Sequence, residues 1–305
     1  MNSETAATME KNNLPIDKAL YRTLVVGFDN SEPSRAALAE ASHFVRRHGG
    51  RIILVHAVYF DTEEFGIAPD QLEKRLKVGE KICIETKERL TKEFGIEVQS
   101  LLCEGEPPEV VVEIAEGKKA DLIVLGTYGR RGINRLLMGS VTSHVIVHAP
   151  VDVLVVKRPC TECTGNYTSI LVPFDGSESS KKALIRAFEF SKIDGSLITV
   201  IYVIPRYEEM VEFFRSGSIK ASLRSEADKI LSSARSVASS HGVSIVTETL
   251  EGHAADKIID FARKQKNDLI VMGSYGYRGV DKAIMGSTAE RVIMAASCPI
   301  LIARR

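Results

Sequence analysis

Two glycine-serine patterns of identical spacing are the residues of this chain best suited to binding an anion. Each reads Gly-x2-Gly-x9-Gly-Ser, with Gly126, Gly129, Gly139 and Ser140 in the first copy and Gly273, Gly276, Gly286 and Ser287 in the second. Glycine lacks a Cβ and adopts positive φ readily, so backbone N–H groups in such a loop can approach a phosphate. A helix that begins at each Gly-Ser pair would direct its first N–H groups and its dipole at the same phosphate.

A simpler role for these residues is a turn after a strand, with Ser140 or Ser287 capping the next helix. Two intact copies favour the phosphate loop over the simple turn. Neither copy contains Gly-Lys-Ser or Gly-Lys-Thr, which excludes a Walker loop, and Gly-x-Gly-x-x-Gly is absent after the first strand, which excludes a Rossmann dinucleotide site. Arg131 and Arg278 occupy matching positions between the glycines, where a cation would screen phosphate charge.

An aspartate follows the first apolar run of each half, Asp29 in TLVVGFDNS and Asp175 in SILVPFDGS. Phosphates would repel a carboxylate, so each aspartate is expected to accept hydrogen bonds from a neutral ribose or base. A helix-start role beside Ser31 or Ser177 fits the same positions equally well. The two roles are compatible, because one carboxylate can serve both.

Short apolar runs alternate with longer segments of helical spacing along the chain. The predicted strands are TLVVGF, RIILVHAV, EVQSLL, LIVLG and VLVV, and then SILVPF, SLITVIYVI, SIVTETL, LIVMG and ILIA. The helices predicted between the first five are Glu32–His48, Pro69–Phe94, Pro107–Gly117 and Ser140–His148. Continuous apolar strands that alternate with helices predict a parallel sheet buried on both faces, with right-handed crossovers.

Five strands in this pattern favour the doubly wound order 3-2-1-4-5. The winding reverses between strands 1 and 4, and ligands bind outside the carboxyl ends of the strands at such a switch point. Asp29 follows strand 1 and Gly126 ends strand 4, so the two motifs are predicted to lie side by side although they are far apart in the chain.

The chain contains two copies of one unit. Asp121–Ser140 and Asp268–Ser287 are identical at twelve of twenty positions, at an offset of 147. The repeat predicts two α/β domains of this doubly wound type. Their expected organisation is a mobile tail at 1–20, a first domain at 21–157, a linker at 158–168 and a second domain at 169–305.

The last strand of each unit is a sheet edge with unpaired N–H and C=O groups. These edges are Val153–Lys157 and Ile300–Ala303. A tether of about ten residues holds them at a high effective concentration. Their pairing as a pseudo-dimer within one chain is what the resemblance to a known family, named below, implies, because that family pairs such edges between subunits. Further dimerisation of the whole chain stays open.

The overall composition excludes several classes of protein. The chain has 305 residues, of which 40 are basic and 40 acidic, so it lacks the basic surplus of a dedicated nucleic-acid binder. The apolar runs are too short to cross a bilayer, and the first twenty residues do not resemble a secretory signal. These features predict a cytoplasmic protein that does not bind to or span a membrane. Its five cysteines, including the isolated pair Cys160 and Cys163, are expected to be reduced thiols. An intermolecular metal or disulfide clip at this pair is the alternative.

The glycine motifs, together with an aspartate after strand 1, resemble those of the ATP-binding branch of the universal stress proteins, in its tandem two-domain form. The resemblance covers residues 22–157 and 168–304. It implies the adenine nucleotide alpha hydrolase-like fold and ATP as the ligand, accompanied by Mg²⁺. AMP, ADP and cyclic AMP are the alternative ligands.

In this family the glycine loop holds ribose and phosphates, while the strand 1 aspartate and a backbone group after strand 2 hold the adenosine end. The resemblance therefore implies nucleotide contacts by the motif residues named above, by their neighbours Thr127, Val141, Ser274 and Thr288, and by Ala57 and Val203 on strand 2. The small side chain of Ala57 would leave a looser adenine pocket in the first half.

Three classes of function are compatible with this pattern. The leading one is a nucleotide-dependent regulatory module of a stress response, with one site per domain and a protein partner that the sequence does not identify. An enzyme on the same fold, either a slow ATPase or a phosphoryl or adenylyl transferase, is the alternative. A structural interaction protein that no longer binds nucleotide is the third, and the intact motifs argue against it.

The loops lack the groups that hydrolysis of ATP requires. Neither contains a Walker lysine, a histidine or a carboxylate at a common position, because Asp281 of the second loop corresponds to Asn134 of the first. We therefore expect no catalytic residue and at most weak ATPase activity. The histidines show no metal-ligand spacing shared by both copies, so no metal-ligating side chain is expected either.

Overall fold

The computed structural model describes residues 20–59, 69–128, 138–158, 165–205, 217–276 and 285–304. Strands and helices alternate as predicted. The first half contains β1 (Thr23–Gly27), α1 (Glu32–His48), β2 (Arg51–Val58), α2 (Pro69–Phe94), β3 (Glu97–Glu104), α3 (Pro107–Gly117), β4 (Leu122–Gly126), α4 (Ser140–His148) and β5 (Asp152–Val156). The second half contains β6 (Ser169–Pro173), α5 (Glu178–Asp194), β7 (Leu197–Ile204), α6 (Gly217–Ser240), β8 (Ile245–Glu251), α7 (Ala254–Lys264), β9 (Leu269–Gly273), α8 (Ser287–Ala295) and β10 (Ile300–Ala303).

The described strands form one ten-stranded sheet in the order β3-β2-β1-β4-β5-β10-β9-β6-β7-β8. Within each half the pairing is parallel, and the order is the predicted 3-2-1-4-5. The predicted pairing of the two edges is also confirmed, since β5 and β10 are antiparallel neighbours with Leu154 opposite Leu301. The two halves therefore form an intrachain pseudo-dimer that shares a single sheet.

Both faces of the sheet are buried, as the continuous apolar strands predict. Alternate residues of β1 show this division, since Leu24 and Val26 belong to one apolar cluster and Val25 to the other. The first cluster is continuous across the junction of the halves, which we call the seam. It combines Phe44 of α1 with Phe190 of α5.

A buried charge network crosses the seam at Asp152, whose side chain is 1% exposed. Its Oδ2 accepts a hydrogen bond from the hydroxyl of Tyr21 at 2.8 Å and lies 2.6 Å from Nε of Arg186. Its Oδ1 accepts from the backbone N–H of Arg304 at 2.8 Å. Burial, followed by the nearby charge of Asp152, raises the pKa of Tyr21 well above its usual value, so this phenol remains a donor.

The residues just before β6 are anchored on the first half. Tyr167 is buried, and its hydroxyl donates to Oε1 of Glu40 at 2.7 Å. The carbonyl of Gly165 accepts a hydrogen bond from Nε2 of His48 at 2.8 Å, and burial lowers the pKa of that histidine. The end of the predicted linker 158–168 thus packs into the seam.

Replacing Asp152 with asparagine should lower the free energy of unfolding by about 3 kcal/mol, because it removes the buried counter-ion of Arg186 and leaves that guanidinium paired with the more exposed carboxylate of Glu189. Tyr21→Phe is the matched control, since it removes one hydrogen bond to the same carboxylate and should cost about 1–2 kcal/mol. Urea unfolding followed by circular dichroism measures both. Equal losses in the two variants would contradict a charge-dominated seam.

Candidate functional site

The predicted meeting of strands 1 and 4 is present in both halves. β1 pairs with β4, with Leu24 opposite Leu122, and β6 pairs with β9 in the same way. Asp175 lies beside the loop that follows β9, because a Cβ added at Gly276 would come within 2.7 Å of its Oδ2. The aspartate and glycine motifs therefore meet at the carboxyl ends of the central strands, as the topology predicts.

Glycine at the end of each fourth strand allows a helix to approach closely. A Cβ at Gly126 would lie 2.7 Å from the carbonyl carbon of Pro33 and 2.9 Å from the backbone nitrogen of Ser34, both in the first turn of α1. A Cβ at Gly273 would lie 2.7 Å from Cβ of Ser179 in α5. These two glycines thus set the contact between strand 4 and the helix after strand 1.

The start of α4 is tied to the end of β4 by two hydrogen bonds. The N–H of Gly139 donates to the carbonyl of Thr127 at 2.9 Å, and Oγ1 of Thr142 donates to the carbonyl of Gly126 at 2.7 Å. Gly139 is the N-cap residue, and the N–H of Ser143 makes the helical bond to its carbonyl. The N–H groups that precede Ser143 in α4 have no acceptor within the helix, so they are available to an external anion.

The second half repeats the backbone part of this geometry, whereas Ala289 takes the place of Thr142. The N–H of Gly286 donates to the carbonyl of Ser274 at 2.9 Å, and the N–H of Glu290 makes the helical bond to Gly286 at 3.0 Å. The N-cap dihedral angles are also alike, with φ −68° and ψ 139° at Gly286 against φ −64° and ψ 141° at Gly139. Two helix N-termini are therefore presented at equivalent points of the two half-sheets.

Two expectations about these motifs are wrong. The described glycines of the two motifs do not adopt positive φ, and close packing against helix backbone explains the residue type at two of them, Gly126 and Gly273. The serines are not helix caps, because Gly139 and Gly286 occupy the N-cap positions without a side-chain bond. Ser140 and Ser287 are instead the first helical residues and are exposed, while Val141 and Thr288 are half-buried.

The aspartates take the helix-start role that the sequence left open. Oδ1 of Asp29 accepts from the N–H of Ser31 at 3.0 Å, and Ser31 caps α1. Oδ1 of Asp175 accepts from the N–H and the hydroxyl of Ser177 at 3.0 and 2.6 Å. Oδ2 of Asp175 faces the backbone of Gly276. The ribose role of the aspartates stays a prediction.

Ala57 and Val203 lie near the carboxyl ends of β2 and β7 and are half-buried. Ala57 is opposite Cys103, whereas Val203 is opposite the larger Leu250, so the side chains at this point of the sheet are smaller in the first half. The neighbouring His56 is buried, and its Nδ1 is 2.6 Å from the carbonyl of Phe28. Sequence reasoning missed this contact, which holds strand 2 to the residue after strand 1.

Two buried hydroxyls follow the central strands. Thr127 and Ser274 are 0% and 3% exposed, and Oγ1 of Thr127 has no hydrogen-bond partner in the described part of the chain. An unpaired buried hydroxyl is costly, so a ligand that paired with Thr127 would gain from it.

Three of the predicted contact residues, Gly129, Arg131 and Arg278, lie outside the described residues, as do Cys160 and Cys163. Of the side chains that are described, no three or more form a group able to ligate a metal ion. The described cysteines Cys83, Cys103 and Cys298 are free, and burial raises the pKa of each thiol, that of Cys298 to about 12.

A cleft of about 320 Å³, which sequence reasoning also missed, lies beside the end of β1. It is lined by Phe28, Asn30 and Arg35 after β1 and by Ile82, Glu85, Thr86 and Arg89 of α2. Asn30 has a φ of 62°, and its counterpart Gly176 has a φ of 82°, so both halves require a left-handed residue after the aspartate. The sequence signal for this left-handed turn was the Asn or Gly that directly follows each aspartate.

The model of the universal stress protein family matches residues 20–157 and 166–304. The chain belongs to the universal stress protein family. The match covers both halves, so this universal stress protein has the tandem form. No helix in the ranges described above is both long and apolar enough to span a membrane.

Some relatives match one half of this chain, and others match nearly all of it. A universal stress protein of Methanocaldococcus jannaschii, MJ0531, is 38% identical over 142 residues, which are 46% of this chain and 83% of that protein. Rv2005c of Mycobacterium tuberculosis is 26% identical over 296 residues, 92% of this chain and 97% of the relative. The crystal structure of a universal stress protein from Archaeoglobus fulgidus superposes with a TM-score of 0.68 at 20% identity, covering 93% of this chain and 98% of that one. The shared fold is the adenine nucleotide alpha hydrolase-like fold.

Gly126→Ala should lower the free energy of unfolding by about 1–3 kcal/mol, because its Cβ would overlap the backbone of Pro33 and Ser34. Gly117→Ala is the matched control at the end of α3, where an added Cβ meets nothing within 4 Å. That change should be neutral or stabilising by up to about 1 kcal/mol. Thermal and urea unfolding of both variants test the packing role, and equal stabilities would refute it.

Proposed function

We propose that this universal stress protein binds one adenine nucleotide in each half, with ATP as the favoured ligand, and that occupancy regulates its contact with a protein partner. The observation that carries the proposal is the placement of α4 and α8. Each begins at a glycine whose N–H is bonded to the carbonyl of the residue after a central strand. Both helix N-termini are thus held at a switch point, where α/β sheets bind ligands.

The helix N-termini supply the phosphate-binding groups in this proposal. In the first half the donors are the N–H groups of Ser140 and Val141, and in the second those of Ser287 and Thr288. A helix N-terminus carries about half a positive elementary charge, which favours a phosphate at this point. The exposed hydroxyls of Ser140 and Ser287 lie at the same opening and add a donor each.

The nucleoside end would lie on the aspartate side of each site. Ribose hydroxyls are donors, and a carboxylate oxygen such as Oδ2 of Asp175 is an acceptor. Ala57 and Val203 would offer backbone groups to the base. Mg²⁺ commonly binds through substrate phosphates and water, so it would accompany the nucleotide without a cage of protein ligands. Its contribution would be to neutralise phosphate charge.

We further propose that the protein holds ATP and does not turn it over as an enzyme would. The two aspartates at the site each use Oδ1 to fix a helix start, and they belong to the nucleoside end. The glycine loops contribute no lysine or carboxylate at a common position that could position water at the terminal phosphate. Occupancy would then act by shifting a conformational or partner-binding equilibrium in the cytoplasm.

Purified protein should bind two adenine nucleotides per chain, as counted by native mass spectrometry and titration calorimetry. Gly139→Val and Gly286→Val should each remove one. The backbone angles at both positions suit valine, so the added side chain blocks the approach to the helix N–H groups without straining the backbone. Gly117→Val places the same side chain in open space and should leave both sites intact. Failure of the wild type to bind any adenine nucleotide would overturn the proposal.

Phosphate release from ATP with Mg²⁺ should be far slower than the roughly 1–10³ s⁻¹ of ordinary enzymes. The measurement compares the wild type with the Gly139→Val, Gly286→Val double variant. Phosphate release that remains in the double variant comes from contaminating ATPases. Rapid release that disappears in the double variant would show that the protein is an ATPase, the alternative function.

A further inference from the structure

The last helix of each half, α4 or α8, accepts hydrogen bonds from one cationic side chain of the other half. Arg304 follows β10, and its Nη2 and Nε donate to the carbonyls of Val147 and Ala149 at 2.7 and 3.2 Å, at the C-terminal end of α4. Lys157 follows β5, and its Nζ donates to the carbonyl of Met294 near the C-terminal end of α8. Arg304 corresponds to Lys157, and Met294 to Val147, at the repeat offset of 147.

We propose that Arg304 and Lys157 are positioning residues for the nucleotide-binding helices of the opposite half, and that through them the two sites are coupled. This inference rests on the proposed function, because α4 and α8 are the helices whose N-termini would hold phosphate. Each helix is bound at one end by a ligand and at the other by a side chain from the opposite half.

The length of α4 makes its two ends mechanically dependent. Nine residues span about 14 Å as a rigid helix, so a displacement at one end is transmitted to the other. Carbonyls in the last turn lack helical partners, and a cation there is favoured by the helix dipole. Arg304 therefore stabilises the same position of α4 that a phosphate at Ser140 and Val141 would stabilise.

Arg304 is itself held firmly at the seam. Its backbone N–H donates to the buried carboxylate of Asp152, and its carbonyl accepts from Nζ of Lys182 at 2.9 Å. It is also close to the other site in sequence, because α8 ends at Ala295 and β10 begins at Ile300. A ligand that fixes the start of α8 would thereby bias β10, Arg304 and then α4.

The return path has the same form. A ligand at the start of α4 biases α4, and β5 follows four residues after α4 ends. Lys157 comes directly after β5 and contacts α8. The two contacts thus form a closed connection around the paired edges, and thermodynamic linkage requires that each site affects the other equally.

The test measures the coupling factor by native mass spectrometry with ATP. Gly286→Val and Gly139→Val give the association constant of each site with the other blocked. The product of the two stepwise constants of the unblocked protein, divided by the product of these two constants, is the coupling factor. We expect about 5 or more for the wild type and a value near 1 for Arg304→Met. Arg304→Lys, which keeps a donor, should restore part of it.

Lys157→Met supplies an independent arm in case Arg304→Met does not fold, and it should also lower the coupling factor. Arg263→Met is the control, since Arg263 is exposed and pairs with Asp260 of its own helix. A purely stabilising role for Arg304 and Lys157 would lower the melting temperature without changing the coupling factor.

The inference is overturned if the two sites of the wild type bind ATP independently. It is also overturned if Arg304→Met and Lys157→Met leave the coupling factor unchanged. Either result leaves the proposed function standing. A wild type that binds no ATP would overturn both. A factor that falls in these variants and recovers in Arg304→Lys supports the coupling through the helix ends.

Discussion

Antiparallel pairing of β5 with β10 joins two parallel half-sheets through Val153 to Val155 and Ile300 to Ile302. Either half alone would expose this edge, with its unpaired N–H and C=O groups, to solvent or to another chain. The pairing also relates the halves by a pseudo-twofold axis, so a residue that reaches across the seam from one half has a counterpart that reaches back. The reciprocal contacts of Lys157 and Arg304 follow from this relation.

Much of the fold could be predicted because its signals are local or repeated. The strands are continuous apolar runs, the strand order follows from their alternation with helices, and the similarity of Asp121–Ser140 to Asp268–Ser287 reveals the repeat. The candidate site was located for the same reason, since topology alone places Asp175 beside Gly276.

The physical role of individual site residues could not be predicted from residue type and spacing. Gly126 fits a phosphate loop as well as it fits a helix contact, and only the position of Pro33 distinguishes them. The pairing of the two edges at the seam was predicted, but the buried charge network there was not, because Asp152 and Tyr21 are separated by 131 residues and neither belongs to a motif. Side-chain contacts of this kind depend on the exact fit of the two halves, and no local pattern carries that information.

Docking is specific because the seam uses related positions with opposite charge. Tyr21 and Phe44 correspond to Tyr167 and Phe190 at the repeat offset of 146, and the four rings pack together. At the same offset Glu40 corresponds to Arg186. Glu40 accepts a hydrogen bond from Tyr167, whereas Arg186 pairs with Asp152 beside Tyr21.

Two copies of the first half in this arrangement would place Glu40 where Arg186 lies, beside the buried Asp152, and two buried carboxylates without a counter-ion are strongly disfavoured. The aromatic contacts alone are compatible with like or unlike partners. The charges make the pairing of unlike halves the favourable one, so the tandem chain completes its seam within itself.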